Sequence, residues 1–325
     1  MEKFKEYKTL VDQAIEQLNL PEKPHRLYDP VAYILALGGK RLRPVLTLMA
    51  CEMFGGRAED ALDAAIGLEI FHNFTLLHDD IMDQAELRRG KKTVHKKWNT
   101  NVAILSGDTM FALAYQFIAA SNTDNLKEIL TTFTQTAIEV CEGQQYDMDF
   151  ETADKVSIPE YLLMIRMKTA VLLGASLKTG ALIARAPAQQ AQLLYDFGIN
   201  AGMAFQLKDD ILDAFGVEDK FGKTIGGDIL ANKKTFLYLK CLEMANQEDY
   251  TMLRHLYSPK IVLSPVEKIA KVLEIYNRYH IREITTEEME KFFSAALQIM
   301  QKVNTDPAMK NRLESFAEWL YKRDH

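Results

Sequence analysis

Apolar residues recur every three or four positions along most of the chain, as in Leu10, Ala14, Leu18 and in Ile129, Phe133, Ala137, Val140. That spacing lines one face of a helix. Few windows alternate strictly between apolar and polar residues, so strands are not expected. The helix breakers fall between the periodic windows: Pro21 with Pro24, Gly38-Gly39, Gly55-Gly56, Gly90, Ser121-Asn122-Thr123-Asp124, Pro159, Pro187, Gly222, Gly226-Gly227 and Pro265. The pattern predicts an all-α fold of helices joined by short loops. No linker rich in Pro, Gly or Ser divides the chain and no solenoid-length repeat appears, so one domain over residues 1–325 is expected.

Two helical windows carry an unusual load of charge: Asp79-Asp80-Ile81-Met82-Asp83 and Asp209-Asp210-Ile211-Leu212-Asp213. Residues four apart on a helix share a face, about 6 Å apart along the axis. Asp79 with Asp83, and Asp209 with Asp213, would each present two carboxylates side by side, and such like charges repel. A solvated acidic face would account for one copy. A second copy with the same spacing and the same Asp-Asp-Ile opening points instead to a compensating cation. Hard oxygen donors suit Mg²⁺, which keeps several waters and bridges to phosphates. Two helices facing each other across a cavity, with both clusters at one rim, is the arrangement expected.

Composition narrows the partners. The 325 residues are 48% hydrophobic and 26% charged, ordinary for a globular chain. The formal net charge of -6 argues against nucleic acid or an anionic membrane surface as the main partner. Cys51, Cys141 and Cys241 are odd in number and widely spaced, which fits neither a disulfide framework nor a zinc site. The N-terminus is charged and lacks the apolar core of a signal peptide. No window was expected to reach the roughly 20 apolar residues of a membrane span. A cytoplasmic protein without a membrane span is expected.

An anionic ligand needs cations, and the sequence supplies them in clusters. Gly38-Gly39-Lys40-Arg41-Leu42-Arg43-Pro44 sets three cations beside a flexible glycine pair. Arg43 offers a planar fork suited to phosphate, and Lys40 a mobile point charge. Arg88-Arg89-Gly90-Lys91-Lys92 follows the first acidic motif and could neutralise it or hold a diphosphate with it. His72 lies seven residues before Asp79, on nearly the same face. Lys168-Thr169 lies in the apolar run from Tyr161 to Leu173, where a lysine needs a partner. Gln206 precedes Asp209 by less than a turn, and Lys223 and Lys233-Lys234 follow the second motif.

In this order and spacing the chain resembles the trans-isoprenyl diphosphate synthases, the polyprenyl synthetase family, from about Gly38 to Thr235. The segments that carry the likeness are residues 38–44, Leu-His-Asp-Asp-Ile-Met-Asp (77–83), Arg88-Arg89-Gly90, Gly143-Gln144 with Asp147, Lys168-Thr169, residues 205–213, Gly222-Lys223 and Lys233. The resemblance implies a single helical domain of the isoprenoid synthase type around a deep central cavity. It implies head-to-tail condensation of isopentenyl diphosphate with an allylic diphosphate (dimethylallyl, geranyl or farnesyl). By the same resemblance, Asp79, Asp83 and Asp209 bind three Mg²⁺ ions, with Asp80, Asp210 and Asp213 in or next to that shell. Arg88, Lys168, Lys223 and Lys233 hold the allylic diphosphate; Lys40, Arg43, His72 and Arg89 hold that of isopentenyl diphosphate. Thr169 and Gln206 place oxygens near the allylic cation. A homodimer is expected on the same ground.

Product length is expected to be set upstream of Asp79, where Phe71, Phe74 and Thr75 would form a floor. An aromatic five residues before the motif and a small residue four before it resemble the twenty-carbon class, geranylgeranyl diphosphate, with fifteen-carbon farnesyl diphosphate as runner-up. A helical wheel points Thr75 more directly at the cavity than Phe74. A terpene cyclase would share the first motif but not the second, nor the Lys40, Arg43 and His72 set. A non-catalytic synthase subunit would be expected to have lost motif residues that are all present here.

Overall fold

The computed structural model describes residues 2–216, 226–258 and 261–322. The fold is all-α. Its helices are α1 (Glu2–Glu16), α2 (His25–Ala36), α3 (Leu42–Met53), α4 (Leu62–Met82), the one-turn α5 (Val94–Lys97), α6 (Thr100–Ala119), α7 (Leu126–Thr152), α8 (Ile158–Ile165), α9 (Val171–Ile183) and α10 (Ala188–Phe215). After these come the one-turn α11 (Gly227–Leu230), then α12 (Phe236–Met244), α13 (Gln247–Leu256), α14 (Pro265–Arg278), α15 (Ile281–Lys302) and α16 (Pro307–Lys322). A 3₁₀ turn (Ala58–Ala61) precedes α4, and a π-helical turn (Arg166–Ala170) joins α8 to α9. Leu87–Arg88 and Lys91–Lys92 pair as a two-residue antiparallel hairpin.

The described breakers sit between helices or in their first turns, and Gly222 lies outside the described residues. Gly38-Gly39 separates α2 from α3, Pro187 precedes α10, and Pro159 and Pro265 occupy the first turns of α8 and α14. Ser157 and Ser264 close capping boxes with Glu160 and Glu267, satisfying backbone N–H groups that a helix start leaves without partners. Ile129, Phe133, Ala137 and Val140 are all buried. The stripe in α1 is corrected: its buried face is Tyr7, Val11 and Ile15, one position along from Leu10 and Ala14, and Leu18 lies past the helix end. The larger Tyr7 draws the helix round, because it fills more core volume than Ala14.

The chain forms two compact units. The first comprises Met1–Thr134, Ala175–Tyr195 and Asn304–Lys310; the second comprises Gln135–Gly174, Asp196–Val303 and Asn311–His325. In the first unit α4 is apolar on nearly every side from Ala64 to Phe71, the signature of a central core helix. It lies directly against α6. A Cβ on Gly67 would stand 2.7 Å from Ile118 Cγ1 and 2.8 Å from the Ala114 carbonyl oxygen, so only glycine admits this approach. By length and composition α6 could cross a membrane, which corrects the expectation that no segment would reach that measure. Its apolarity has a local reason, since Ala103, Met110, Ala114 and Ile118 are buried, while Ile104 and Leu105 remain exposed. In the second unit the core gathers Tyr161, Met164 and Ile165 of α8, Met203, Leu207 and Ile211 of α10, and Phe236 to Cys241 of α12.

Gly67→Ala is expected to destabilise the protein by about 1–3 kcal/mol, the usual cost of overfilling a packed core. Chemical denaturation measures this. An unchanged midpoint would mean that α4 and α6 have room to separate.

Candidate active site

The cationic turn before α3 sorts its three charges into different tasks. Arg41, at the N-cap of α3, has a left-handed backbone with φ 52°. Its guanidinium is buried, and it donates to Glu69 Oε1 at 2.7 Å, Asp12 Oδ1 at 3.0 Å and the Leu35 carbonyl at 2.8 Å. Arg41 is therefore an internal brace. Arg43, in the first turn of α3, reaches His72 of α4, with 3.1 Å from Nη1 to Nε2. The guanidinium can only donate, so this imidazole nitrogen accepts and His72 is neutral. Burial, followed by the charges of Arg43 and Arg89, holds the His72 pKa well below the ordinary imidazole value. Burial also pushes Arg43 down to about 10, opposed by Glu69 and reinforced by Arg89. Its Nε is buried without a hydrogen-bond partner.

Arg89 completes the group from the hairpin. Arg89 and Gly90 both have positive φ, as the centre of a tight type I′ connection demands. The Arg89 guanidinium rests against Gly39: a Cβ there would meet its Nη2 at 2.7 Å. Gly39 has φ 143°, a conformation that favours glycine. Arg43 and Arg89 thus gather at neutral His72, with Glu69 as their nearby carboxylate, while Lys40 is exposed. The cluster carries an excess of positive charge.

The first acidic motif occupies the last turns of α4, which ends at Met82 with Asp83 as its C-cap. Asp80 is buried and accepts two hydrogen bonds from Arg88, at 2.8 Å each. Its pKa is raised by burial, which the Arg88 bonds oppose. The same guanidinium comes within 3.7 Å of Asp79 Oδ2. Asp79 is half-buried and Asp83 exposed, one helical turn apart, as the spacing predicted.

In the second unit, residues from α7, α8, α10, α11 and the π turn line a cavity of about 110 Å³. Lys168 projects from the π turn and donates to Asp147 of α7 at 2.6 Å, the partner its apolar surroundings called for. A Cβ on Gly143 would collide with the Lys168 backbone nitrogen, so this glycine lets α7 pass beside the π turn. Thr169 donates its hydroxyl to Gln206 Oε1 at 3.3 Å, and Gln206 Nε2 donates to Asp210 Oδ1 at 3.3 Å. Tyr161 donates its hydroxyl to Asp210 Oδ2. Burial and then Asp228 raise the Asp210 pKa well above the carboxylate range, and burial beside Asp213 lifts Asp228 to about 6. Asp213 Oδ2 accepts the Asp228 backbone N–H at 2.9 Å. Lys233 lines the cavity, while Lys234 donates to the Phe150 and Glu151 carbonyls at the end of α7.

The structure thus brings together Arg43, His72 and Arg89; Asp79, Asp80 and Arg88; and Lys168, Thr169, Gln206, Asp210 and Lys233. Lys223 lies outside the described residues. Among the described residues no three or more His, Cys, Asp or Glu side chains converge as a ready-made metal site. The donor set nevertheless fits Mg²⁺. Each motif presents two hard carboxylates one turn apart, and an ion that keeps waters and takes substrate oxygens needs no complete protein cage. Phe71 is fully buried, 5.1 Å from Phe133 and 5.7 Å from Phe111 between ring centroids. Phe74 stacks on Phe111 at 5.2 Å, and half-buried Thr75 donates to the His72 carbonyl at 2.8 Å. Sequence reasoning missed Phe111 as a neighbour of Phe71 and Phe74, Tyr115 packed in turn on Phe111 and Phe133, the contacts of Tyr161 and Asp228, and the brace of Arg41 with Glu69. Phe111 and Tyr115, four apart on one helix, gave a usable signal; Tyr161, 49 residues from Asp210, gave none.

Comparison with known proteins follows this geometry. Residues 24–276 match the family model described as polyprenyl synthetase. A geranylgeranyl pyrophosphate synthase of Geoglobus acetivorans is 36% identical over 99% of this chain and 98% of its own. A short chain isoprenyl diphosphate synthase of Methanothermobacter thermautotrophicus is 33% identical over 100% of this chain and 99% of its own. A crystal structure of a geranylgeranyl pyrophosphate synthase superimposes with a TM-score of 0.94 at 47% identity, covering 98% of each chain.

The buried neutral His72 has a consequence for stability. Its folded pKa lies below the unfolded value. Below about pH 6.5 the unfolded chain binds a proton that the folded chain refuses, so stability falls as pH drops toward the folded pKa. One proton sets a limit of about 1.4 kcal/mol per pH unit. Denaturation of wild type and His72→Gln between pH 7 and 5 is expected to show the wild type losing ground to the variant. Parallel profiles would place a protonated imidazole there.

Proposed function

The chain belongs to the polyprenyl synthetase family, and we propose that it is a Mg²⁺-dependent trans-prenyltransferase. It joins isopentenyl diphosphate head-to-tail to an allylic diphosphate and releases diphosphate. The observation that carries this reading is the Arg43, His72 and Arg89 cluster. It is an anion site separate from the Arg88 cation held by Asp80, and a terpene cyclase, with one diphosphate to hold, has no use for it.

The roles of the residues are those the family resemblance implies, and the contacts of Arg43, Arg88 and Lys168 support them. Lys40, Arg43, His72 and Arg89 take the diphosphate of isopentenyl diphosphate, with neutral His72 free of the cost of a further buried charge. Arg88, fixed by Asp80, and Lys168, fixed by Asp147, meet the allylic diphosphate together with Lys233 and Lys223. Mg²⁺ on Asp79, Asp83 and Asp209, three ions by resemblance, would neutralise charge that develops on the departing diphosphate. Thr169 and Gln206 face the allylic carbon with oxygens, while Phe150, Met164 and Ile165 keep water from it. The released diphosphate serves as base for the final proton.

A twenty-carbon product is favoured, with Phe71 and Phe74 packed on Phe111 as the floor and Thr75 small above it. The names of the relatives support that length; the runner-up is a fifteen-carbon product. A cytoplasmic homodimer is proposed by resemblance to the family. Ile104 and Leu105, exposed on α6, supply an apolar face for it, and sedimentation velocity reads the mass.

Purified protein, Mg²⁺ and labelled isopentenyl diphosphate, given each primer in turn and followed by product chromatography, tests the reading. A cyclase or a non-catalytic subunit consumes no isopentenyl diphosphate. Asp79→Ala and Asp209→Ala are each expected to lower turnover by a hundredfold or more, roughly 3 kcal/mol of barrier, in a folded protein. Near-normal turnover in either variant contradicts the metal assignment. Thr75→Phe is expected to shift the main product from twenty carbons to fifteen. An unchanged distribution places the floor elsewhere.

A further inference from the structure

The second aspartate of the second motif is bound into a chain of hydrogen bonds that starts at a buried phenol. We propose that Tyr161 is a positioning residue for the transfer reaction: acting through Asp210, it fixes the Gln206 amide with its oxygen, rather than its NH₂, toward Thr169 and the cavity. This rests on the prenyl-transfer reading given above.

Four side chains make the chain, and all four line the same cavity. Tyr161, 3% exposed on α8, donates its hydroxyl to Asp210 Oδ2. Asp210 Oδ1 accepts from Gln206 Nε2 at 3.3 Å, and Gln206 Oε1 accepts from Thr169 Oγ1 at 3.3 Å. Gln206 and Asp210 are four apart on α10, so the helix itself brings them side by side. A primary amide has two ends of nearly equal shape but opposite hydrogen-bonding sense. A hydroxyl neighbour such as Thr169 suits either end. A carboxylate oxygen accepting at the other end does not, because it selects the NH₂ group. The orientation of Gln206 therefore depends on where Asp210 keeps its two oxygens, and the Tyr161 hydroxyl holds one of them.

The chemical consequence falls on the cation. An amide oxygen turned to an allylic carbon stabilises positive charge as it develops; an NH₂ group in its place opposes it. Both bonds at Gln206 are long, so each holds the amide weakly, and the orientation relies on Asp210 staying in place. Tyr161 lines the cavity with Lys168 and Lys233, but its hydroxyl is given to Asp210 rather than turned to a diphosphate. Its loss should leave substrate binding intact and act on the chemical step alone.

Tyr161→Phe keeps the ring and removes the hydroxyl. Its kcat is expected to fall roughly tenfold, the scale of one modest oriented hydrogen bond. The KM for isopentenyl diphosphate is expected to stay near wild type, whereas the thermal midpoint is expected to fall, because a buried Asp210 oxygen loses its donor. The discriminating measurement is a double-mutant cycle with Gln206→Ala: Tyr161→Phe should lower kcat no further in that background. A wild-type kcat in Tyr161→Phe overturns the proposal, and so do losses that multiply in the double variant, since Tyr161 would then act without Gln206. If Tyr161→Phe does not fold, Asp210→Asn replaces it in the cycle. Asn offers Tyr161 one acceptor and turns its own NH₂ to Gln206, which reverses the amide. Again the loss must vanish against Gln206→Ala, and multiplying losses overturn the proposal. Wild type that consumes no isopentenyl diphosphate refutes the function itself, whereas active wild type with an unaffected Tyr161→Phe refutes only this inference.

Discussion

Both aspartate motifs lie at the end of a helix that electrostatics makes least hospitable to them. The carbonyl groups of a C-terminal turn already carry the negative end of the helix dipole, and a carboxylate there costs a few tenths to about 1 kcal/mol. The first motif fills the last turns of α4 and the second those of α10. The fold compensates several of the six aspartates, Asp79 included through the Arg88 guanidinium 3.7 Å away. Asp80 has the fork of Arg88, Asp210 has Tyr161 and Gln206, and Asp213 has the Asp228 N–H. Asp79, Asp83 and Asp209 are the three assigned above to metal by resemblance. Like charge gathered on one helix end is what a divalent cation bound with diphosphate would relieve.

The cations obey the same division. Arg41 is held by Glu69, Asp12 and a carbonyl, so that a left-handed residue can start α3 and aim Arg43 at His72. Buried ion pairs of this sort seldom add net stability, because desolvation offsets the attraction. Removing one partner, however, strands the other charge. The pair is better understood as fixing the turn in one conformation. Asp147 does for Lys168 what Asp80 does for Arg88. In each case the cation proposed to meet substrate is half-buried, and the carboxylate behind it holds it in place.

This division explains what could be read from the sequence. The helices were legible because their apolar residues keep period and their breakers do not. The motif residues were legible because charge in an apolar helix is costly and therefore conspicuous. The partners were not, where they come from far along the chain: Glu69 is 28 residues from Arg41 and Tyr161 is 49 from Asp210. A buried tyrosine in an apolar run looks like any core residue. Lys168 was the intermediate case. Its surroundings demanded a carboxylate, and Asp147 stood in a segment already singled out, but nothing local joined the two. The slip at α1 has a similar cause, since periodicity fixes the spacing of a stripe better than its phase when Tyr7 competes with Ala14.

The π turn shows why the glycine of the Gly143-Gln144 segment belongs with the chemistry. An extra residue in one helical turn rotates Lys168 and Thr169 relative to the rest of α8 and α9, and such turns concentrate at functional sites. The widened backbone needs space, and any Cβ at 143 would strike the Lys168 nitrogen. With the glycine, α7 comes close enough for Asp147, one turn further on, to reach the Lys168 ammonium. A single missing side chain thus permits the irregular turn, the close passage of α7 and the ion pair that holds the lysine. Sequence alone shows two separated segments; packing makes them one device, and neither has its purpose without the other.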